Sequence, residues 1–153
     1  MKKIESFKVN HLNLLPGLYV SRIDTFNNNI VTTFDIRITR PNFEPVMDTP
    51  AIHTIEHIGA TFLRNSYYND HIIYFGPMGC RTGFYLVVCG NSSSVEILPL
   101  VLDMFKFIID FNGEIPGAKA EECGNYLEQN LDMAKYYSRK YISNIEKYNS
   151  LEY

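Results

Sequence analysis

Apolar and polar residues alternate along residues 30–40, the clearest periodic pattern in the chain. Isoleucine, threonine and phenylalanine side chains fall on one side, whereas the other side is mostly polar and carries Arg37. A period of two predicts a strand with one apolar face. Residues 18–26 form a second extended stretch, and the asparagines at 27–29 between the two are typical of a turn. The two stretches therefore predict an antiparallel hairpin, joined by a short strand through residues 7–9.

The rest of the chain predicts at least three helices and two further strands. Thr49 followed by Pro50 supplies an N-cap and a first helical position, so a helix is predicted from here to about Tyr67. The other predicted elements, in chain order, are a short strand at 72–75, a turn at 76–79, a strand at 82–89, a helix at 95–111, a helix that begins after Gly117 and carries Cys123, and a helical or frayed segment at 136–153. The strand at 82–89 is apolar on both faces and is expected to be covered on both sides. Strands kept together with three helices predict an α+β fold, an antiparallel β-sheet packed against helices as a two-layer sandwich.

Composition is typical of a single-domain globular protein. The chain has 153 residues, of which 46% are hydrophobic and 20% charged. A chain of this size and composition can enclose one core. We expect one domain over residues 1–153, with a tail at about 140–153 that is free to fray.

Charge and cysteine content argue against several functional classes. The net charge is −3 and no run of five like charges occurs, so nucleic acid is not expected as a partner, because such binding needs a basic patch. The N-terminus lacks the apolar stretch of a signal peptide, and no apolar run approaches the roughly 20 residues that span a bilayer, so no membrane association is expected. Three cysteines without Cys-x-x-Cys spacing predict reduced thiols and a cytoplasmic location.

His53 and His57 lie four positions apart inside the first predicted helix, with Glu56 beside the second. Residues at i and i+4 share a helix face with Cβ atoms about 5–6 Å apart, so two imidazoles can converge on one cation. The apolar residues of this helix fall in another sector, which leaves both histidines off the core stripe. Glu56 is placed to take a proton from a metal-bound substrate without being a ligand. The motif His-x-x-Glu-His therefore predicts a catalytic metal site.

A catalytic site with one open position needs a third protein ligand. Cys123 and Cys80 are the candidates, and an Asp or Glu elsewhere is an alternative. Cys123 is predicted near the start of a helix, where the helix dipole lowers a thiol pKa and favours the thiolate. Cys80 lies in a tight turn next to Arg81, where a partly exposed thiol can act as acid or base. Cys89 ends an apolar strand and is predicted to be buried packing.

Three segments carry a combined sequence pattern: the helix with His-Thr-Ile-Glu-His at 53–57, the turn and strand Pro-Met-Gly-Cys-Arg-Thr-Gly-Phe-Tyr at 77–85, and the segment at 115–124 that contains Glu-Cys-Gly. Together they resemble the LuxS, or S-ribosylhomocysteine lyase, family. Residues 6–11 and 34–42 are also similar to that family. The likeness spans about residues 4–140 in the right order.

The resemblance implies a metal-dependent site with assigned roles. It implies that His53, His57 and Cys123 bind one divalent ion per subunit, Fe²⁺ with Zn²⁺ or Co²⁺ as substitutes, and that a water takes the fourth position. It also implies that Glu56 and Cys80 are the proton-transfer pair. The substrate-binding residues that it implies are Ser6, His11, Arg37 and Arg64. Family members are homodimers whose two sites lie at the interface, each completed by N-terminal residues of the other subunit.

Three positions depart from the family pattern. Members usually carry an Asp three residues before the Pro of the Pro-Met-Gly-Cys turn and a Ser immediately before that Pro, whereas this chain has Tyr74 and Gly76. Asn10 replaces the customary Asp before His11. An acidic residue near a substrate amino group supplies a charge-assisted hydrogen bond, so these changes are expected to affect substrate affinity. The metal and proton-transfer residues are intact.

The predicted activity is that of a metal-dependent carbon–sulfur lyase. It would cleave S-ribosylhomocysteine to homocysteine and 4,5-dihydroxy-2,3-pentanedione, the precursor of autoinducer-2. Moving the ribose carbonyl from C1 to C3 makes the C4 proton removable, after which the thiolate on C5 leaves by β-elimination. One alternative is an inverzincin-type metallopeptidase, against which the chain length and Cys123 argue. Another is a LuxS-like protein that binds metal without lyase activity.

Overall fold

The computed structural model describes residues 2, 4 and 7–153, which form a four-stranded sheet and three α-helices. The strands are β1 (Gly17–Phe26), β2 (Asn29–Arg37), β3 (Ile72–Pro77) and β4 (Gly83–Cys89), and the helices are α1 (Thr49–Arg64), α2 (Ser94–Asp110) and α3 (Leu131–Tyr148). All neighbouring strands are antiparallel, in the order β1-β2-β4-β3. The predicted α+β class is confirmed. No helix within the described ranges is long and apolar enough to cross a membrane.

The hairpin of β1 and β2 forms as the alternating pattern predicts. Asn27 and Asn28 make the turn with φ values of 46° and 69°. Asparagine visits this left-handed region more readily than most residues, so the turn suits the sequence. On its other side β2 pairs with β4, which places Asp35 opposite Tyr85. Because β2 lies between β1 and β4, the side chains of its polar face have neighbouring strands on both sides.

The apolar core lies between one face of the sheet and the helices. Its sheet side is formed by fully buried residues of β2 and β4, namely Phe34, Ile36, Phe84 and Leu86. Gly59 allows α1 to approach this layer closely, because a Cβ at this position would lie 2.7 Å from the ring of Phe75. Each fully buried apolar side chain contributes roughly 1.5–3 kcal/mol. The core therefore holds α1 firmly, and with it the histidines that project from the other side of the helix.

The boundaries of α1 differ slightly from those predicted. Its N-cap is Asp48, not Thr49: Asp48 has extended backbone, and its carboxylate accepts a hydrogen bond from the Ala51 amide at 3.2 Å. Aspartate is among the strongest N-cap residues, and it satisfies a helix-end amide that would otherwise lack a partner. The helix ends at Arg64, three residues before the predicted Tyr67.

The prediction of a helix that begins after Gly117 and carries Cys123 is wrong. Residues 111–130 form separate turns, in which the amide of Cys123 donates to the carbonyl of Lys119 at 2.9 Å. Gly117, just before the predicted start, has a φ of +71°, and the backbone hydrogen bonds that follow it close single turns. The next helix begins only at Leu131. Cys123 is therefore not at a helix N-terminus, and the helix dipole does not act on its thiol.

The strand predicted through residues 7–9 is also wrong. Residues 7–13 form turns, and the side chain of Asn10 accepts a hydrogen bond from the amide of Leu12 at 3.1 Å. Asparagine makes such local bonds in place of a sheet ladder.

The outer face of the sheet, which points away from the helices, is partly open at β4. Tyr85 and Val87 on this face are half-buried, and Cys89 is exposed. The predicted cover on both sides of β4 and the predicted burial of Cys89 are therefore wrong for the single chain. The reason is that the helices pack on the opposite face, so no helix of the same chain is left to cover this one.

The C-terminal segment is ordered by helix α3 and by its contact with β1. Helix α3 ends at Tyr148, and Asn149 caps it in the left-handed conformation. The carbonyl of Ser150 then accepts a hydrogen bond from the amide of Leu18 at 3.0 Å. The segment predicted as helical or frayed is thus helical to Tyr148 and tied to β1 beyond it.

Candidate active site

His53, His57 and Cys123 bring three potential metal ligands together beside α1. One nitrogen of each imidazole and the Cys123 sulfur all lie within 4.8 Å of one another. The two rings are 4.5 Å apart and nearly perpendicular, and Cys123 Sγ lies 3.4 Å from His53 Nε2. In a tetrahedral site with bonds of about 2.0–2.3 Å, neighbouring ligand atoms are roughly 3.4–3.7 Å apart. The Cys123–His53 pair has this separation and the other pairs lie within 4.8 Å, so the three residues can surround one ion and leave a fourth position for another ligand.

Backbone carbonyls set the orientation of both imidazoles. His53 Nδ1 lies 2.9 Å from the carbonyl oxygen of Glu128, and His57 Nδ1 lies 2.6 Å from that of Pro116. Because a carbonyl oxygen only accepts, each Nδ1 carries the proton and donates it. The lone pairs of both Nε2 atoms are then free for a cation, as metal-binding histidines require.

Gly117 allows the chain to pass close to His57. Its φ of +71° is strained for other residues, and a Cβ there would lie 3.1 Å from His57 Nδ1. The glycine therefore lets the Pro116 carbonyl reach the imidazole.

Thr54 joins α1 to the segment that orients His53. Its hydroxyl oxygen accepts from the amide of Asn130 at 2.8 Å and lies 2.7 Å from the side-chain oxygen of Gln129. The carbonyl of Glu128, in the same segment, holds His53. Thr54 is fully buried, so water cannot replace these bonds.

We expect Thr54→Val to loosen this segment and weaken metal binding. The substitution keeps the shape but leaves the Asn130 amide unsatisfied, which costs about 1–3 kcal/mol of folding stability. Loss of such outer-shell support typically reduces metal affinity roughly 10–100-fold. Urea unfolding and competition with a chelator measure the two effects. Thr39→Val is the matched control: within the described part of the chain the buried hydroxyl of Thr39 has no hydrogen-bond partner, so both quantities should stay near those of the parent protein. Equal metal affinity in Thr54→Val would contradict this prediction.

Glu56 faces the space next to the two imidazoles of the candidate metal site. Together with His53, His57 and Gly117 it lines a cavity of about 420 Å³. No group within the described ranges forms a hydrogen bond or ion pair with the Glu56 carboxylate. A half-buried carboxylate without a protein partner is available to a ligand in this cavity, as general acid–base chemistry needs.

Cys80 belongs to a second group of residues, on the outer face of the sheet. Arg37 Nη1 lies 3.7 Å from Cys80 Sγ and 2.5 Å from the hydroxyl oxygen of Thr82. Thr82 Oγ1 is in turn 3.1 Å from Cys80 Sγ. Because a guanidinium only donates, Thr82 accepts from Arg37 and can give its own proton to the sulfur.

This arrangement favours the thiolate of Cys80. Partial burial opposes ionisation, but the hydrogen bonds from Thr82 and the charge of Arg37 outweigh it, so the pKa of the thiol is lowered. The side chain is also exposed, which leaves the sulfur accessible. A reactive, accessible thiolate is the state that a proton-transfer cysteine needs.

The predicted substrate-binding residues are only partly brought together. His11 and Arg37 line one very small cavity on the outer sheet face, separate from the cavity at Glu56. Arg64 instead donates to the carbonyls of Ile72 and Ile73 at 3.2 and 2.8 Å, which ties α1 to β3. Ser6 lies outside the described residues. A substrate-binding role for these residues stays a prediction.

The two departures at Tyr74 and Gly76 are physically linked. A Cβ at position 76 would overlap the phenol of Tyr74, so this position of the Tyr74 ring requires glycine two residues later. Asn10 supplies the turn bond to Leu12 that an aspartate would also make. The first change therefore alters the local surface, whereas the second preserves the local backbone.

Comparison with known proteins identifies the family. The model of the S-ribosylhomocysteinase (LuxS) family matches residues 4–152. The chain belongs to the LuxS family. S-ribosylhomocysteine lyases of Finegoldia magna and Clostridium acetobutylicum are 59% and 61% identical, over 97% and 92% of this chain and 97% and 90% of their own lengths. The S-ribosylhomocysteine lyase of Porphyromonas gingivalis is 51% identical over 95% of this chain and 92% of its own.

Membership of the LuxS family favours the lyase over the metallopeptidase interpretation of the His-x-x-Glu-His motif. It also agrees with the donor set in the structure, in which two imidazoles and a thiol converge.

Several supporting residues were not predicted. Asp35, which pairs with Arg37, could have been found, since it lies two positions away on the same strand face. Thr54 and the carbonyls of Pro116 and Glu128 have no sequence signal that separates them from other residues of their kind.

Proposed function

We propose that this protein is an S-ribosylhomocysteine lyase that releases homocysteine and 4,5-dihydroxy-2,3-pentanedione, the precursor of autoinducer-2. The observation that carries the proposal is the group His53, His57 and Cys123, with the carboxylate of Glu56 in the adjoining cavity, in a chain of the LuxS family. The names of the curated relatives support the same substrate.

His53, His57 and Cys123 would hold the cofactor, one divalent ion per subunit. We propose Fe²⁺, with Zn²⁺ or Co²⁺ as substitutes, because a mixed imidazole and thiolate set suits these metals better than Mg²⁺ or Ca²⁺. A divalent ion bound there supplies a Lewis acid for the sugar oxygens of the substrate.

Glu56 and Cys80 are proposed to move protons between the sugar carbons. The Glu56 carboxylate takes a proton from a carbon beside the carbonyl and returns it to the neighbouring position, which shifts the carbonyl along the chain. Cys80, whose pKa is lowered, exchanges protons on the other side of the sugar. Once the carbonyl is at C3, removal of the C4 proton forms the C4–C5 double bond and breaks the C5–S bond. The departing homocysteine thiolate then takes up a proton, and the reaction consumes no water.

Thiol release tests the proposed reaction. Metal-loaded protein is mixed with S-ribosylhomocysteine, and the free thiol is followed with a chromogenic disulfide reagent after subtraction of the protein's own cysteines. We expect one new thiol per substrate molecule consumed. A protein that holds its metal but releases no thiol would be a metal-binding LuxS-like protein, and the lyase proposal would be wrong.

We propose that the active form is a homodimer. The cavity at Glu56 and the small cavity that holds His11 and Arg37 are separate in the single chain, although the reaction needs both sets of residues. The outer sheet face also exposes or half-exposes Tyr74 and Val87 beside a cavity of about 350 Å³. A second copy packed on this face would cover apolar surface and bring the His11 and Arg37 group of one subunit toward the metal ligands of the other.

Val87→Lys is expected to convert the dimer into an inactive monomer. The lysine places a charge in the middle of the outer sheet face, where burial against a second copy would leave it without a partner. Sedimentation at micromolar concentration measures the oligomeric state, and thiol release measures activity. Val95→Lys is the control, because Val95 is 66% exposed on α2, away from the sheet face. An active monomer of the parent protein would contradict the dimer.

The cytoplasm is the proposed location, with a small-molecule substrate and no nucleic-acid or membrane partner. All three cysteines are free thiols, which suits a reducing compartment. The net charge of −3 argues against a nucleic-acid partner, because such binding depends on an excess of positive charge.

A further inference from the structure

Tyr153 contacts the charged group behind Cys80, although it has no role in the site described above. Its phenol donates a hydrogen bond to Asp35 Oδ2 at 2.9 Å. Its ring stacks on Tyr19, with centroids 4.7 Å apart and planes within 6° of parallel. Tyr19 in turn donates its own hydroxyl to the carbonyl of Leu15 at 2.8 Å, not to Asp35. The stacking holds the Tyr153 ring in place, and the hydroxyl makes the polar contact.

Asp35 depends on few donors. It is 2% exposed, and its Oδ2 accepts from both Tyr153 and Arg37, while its Oδ1 has no hydrogen-bond partner among the residues that the structure describes. Burial raises the pKa of Asp35, and the ion pair with Arg37 and the Tyr153 hydrogen bond act against that effect. The Arg37 guanidinium, itself 3% exposed, stabilises the ionised form of the carboxylate by direct contact. If the Tyr153 hydrogen bond is lost, the interaction of the buried carboxylate with Arg37 must therefore change.

The Arg37 guanidinium contacts both Asp35 and Cys80. Its Nη2 donates to Asp35, and its Nη1 donates to Thr82 and lies 3.7 Å from Cys80 Sγ. The titratable and charged groups around this cluster are Tyr19 and Arg22 on β1, Tyr85 on β4, Tyr141 on α3, and His11 and Tyr153 on the flanking segments. Burial raises the pKa of Tyr153, and the negative charge of Asp35 adds to this, so the phenol stays a neutral donor.

We propose that Tyr153 is a positioning residue for the Cys80 thiolate, acting through its hydrogen bond to Asp35 and the ion pair of Asp35 with Arg37. The Tyr153 phenol supplies one of the hydrogen bonds that the Asp35 carboxylate accepts. Arg37 is then free to direct Nη1 toward Thr82 and Cys80. The proposal rests on the proposed function in one respect only, that the lyase uses a Cys80 thiolate.

Tyr153→Phe is the test, because it removes the hydroxyl and keeps the stacked ring. Without this hydrogen bond, Asp35 attracts the Arg37 guanidinium more strongly. The guanidinium then stabilises the Cys80 thiolate less. We expect the pKa of Cys80 to rise by about half a unit to one unit. Asp35→Asn removes the competing charge and is expected to shift the same pKa downward.

The readout is alkylation of the metal-loaded protein by iodoacetamide as a function of pH. Trypsin cleavage after lysine and arginine places the three cysteines in separate peptides, with Cys80 in 65–81, Cys89 in 82–106 and Cys123 in 120–135. The alkylation midpoint of the 65–81 peptide reports Cys80, and the midpoint of the 82–106 peptide, which should be the same in every variant, is the internal standard. Tyr19→Phe is the matched control, since it removes a hydroxyl from the same stacked pair that does not touch Asp35.

The outcomes separate this inference from the proposed lyase activity. The proposed role of Tyr153 is supported if the pH midpoint of Cys80 alkylation rises in Tyr153→Phe and is unchanged in Tyr19→Phe. The pH profile of thiol release should then shift upward by the same amount. An unchanged midpoint in Tyr153→Phe, or equal shifts in both variants, overturns that role. Alkylation needs no substrate, so the result stands whether or not the protein releases thiol. If Asp35→Asn does not fold, the comparison of the two tyrosine variants still decides.

Discussion

Cys123→Ala is expected to lose the bound metal and the release of thiol together. Cys123 is the only sulfur in the described part of the chain that lies with His53 and His57, and two imidazoles alone leave the ion without its charged ligand. Metal affinity should fall by more than the roughly 10–100-fold that loss of an outer-shell partner costs. Metal content after gel filtration and the thiol assay measure the two losses.

Cys80→Ala is the control for that experiment. Cys80 is bonded to Thr82 and Arg37 on the outer sheet face, so its loss should leave the metal bound and remove activity alone. If Cys80→Ala released the ion while Cys123→Ala kept it, the roles proposed for the two thiols would be reversed.

Glu56→Gln is expected to keep the metal and lose at least about a hundredfold in the rate of thiol release, the effect typical of a general base. The amide keeps the shape and hydrogen-bonding ability of the side chain but cannot take a proton. Glu56 lines the same cavity as His53 and His57 without belonging to the group of converging ligand atoms, so coordination should not change.

Glu121→Gln is the matched control for the loss of a carboxylate. Glu121 is exposed in the turns between α2 and α3, and its substitution should leave both metal content and rate near those of the parent protein. Metal loss in Glu56→Gln would instead make Glu56 a ligand, and full activity would exclude it as the base.

The sequence by itself determined the local part of the site. Helical spacing places the imidazoles of His53 and His57 on one face of α1, because a four-residue separation is nearly one helical turn. The alternation along β2 likewise separates Phe34 and Ile36, which are buried in the core, from Arg37 on the polar face. These predictions succeeded because each depends on residues a few positions apart.

The role of Cys123 could not be predicted from local sequence patterns. Spacing alone left Cys80, Cys123 and an acidic residue as alternatives for the third ligand, and the resemblance to LuxS, not geometry, favoured Cys123. The helix predicted around it is absent, because residues 118–130 form separate turns. The ligand comes from turns 70 residues away from His53, and the path of such turns depends on the packing of α2 and α3.

Only the tertiary structure decided how the reactive groups are supported. The carbonyls of Glu128 and Pro116 hold the two imidazoles, yet every residue has a carbonyl, so no sequence pattern marks these two. Tyr153 reaches Asp35 across 118 residues, a contact that exists because α3 returns the chain to β1. Sequence periodicity specifies which residues share a face of one element. The partners that tune their charge come from other elements, and only the packing of those elements brings them within hydrogen-bond distance.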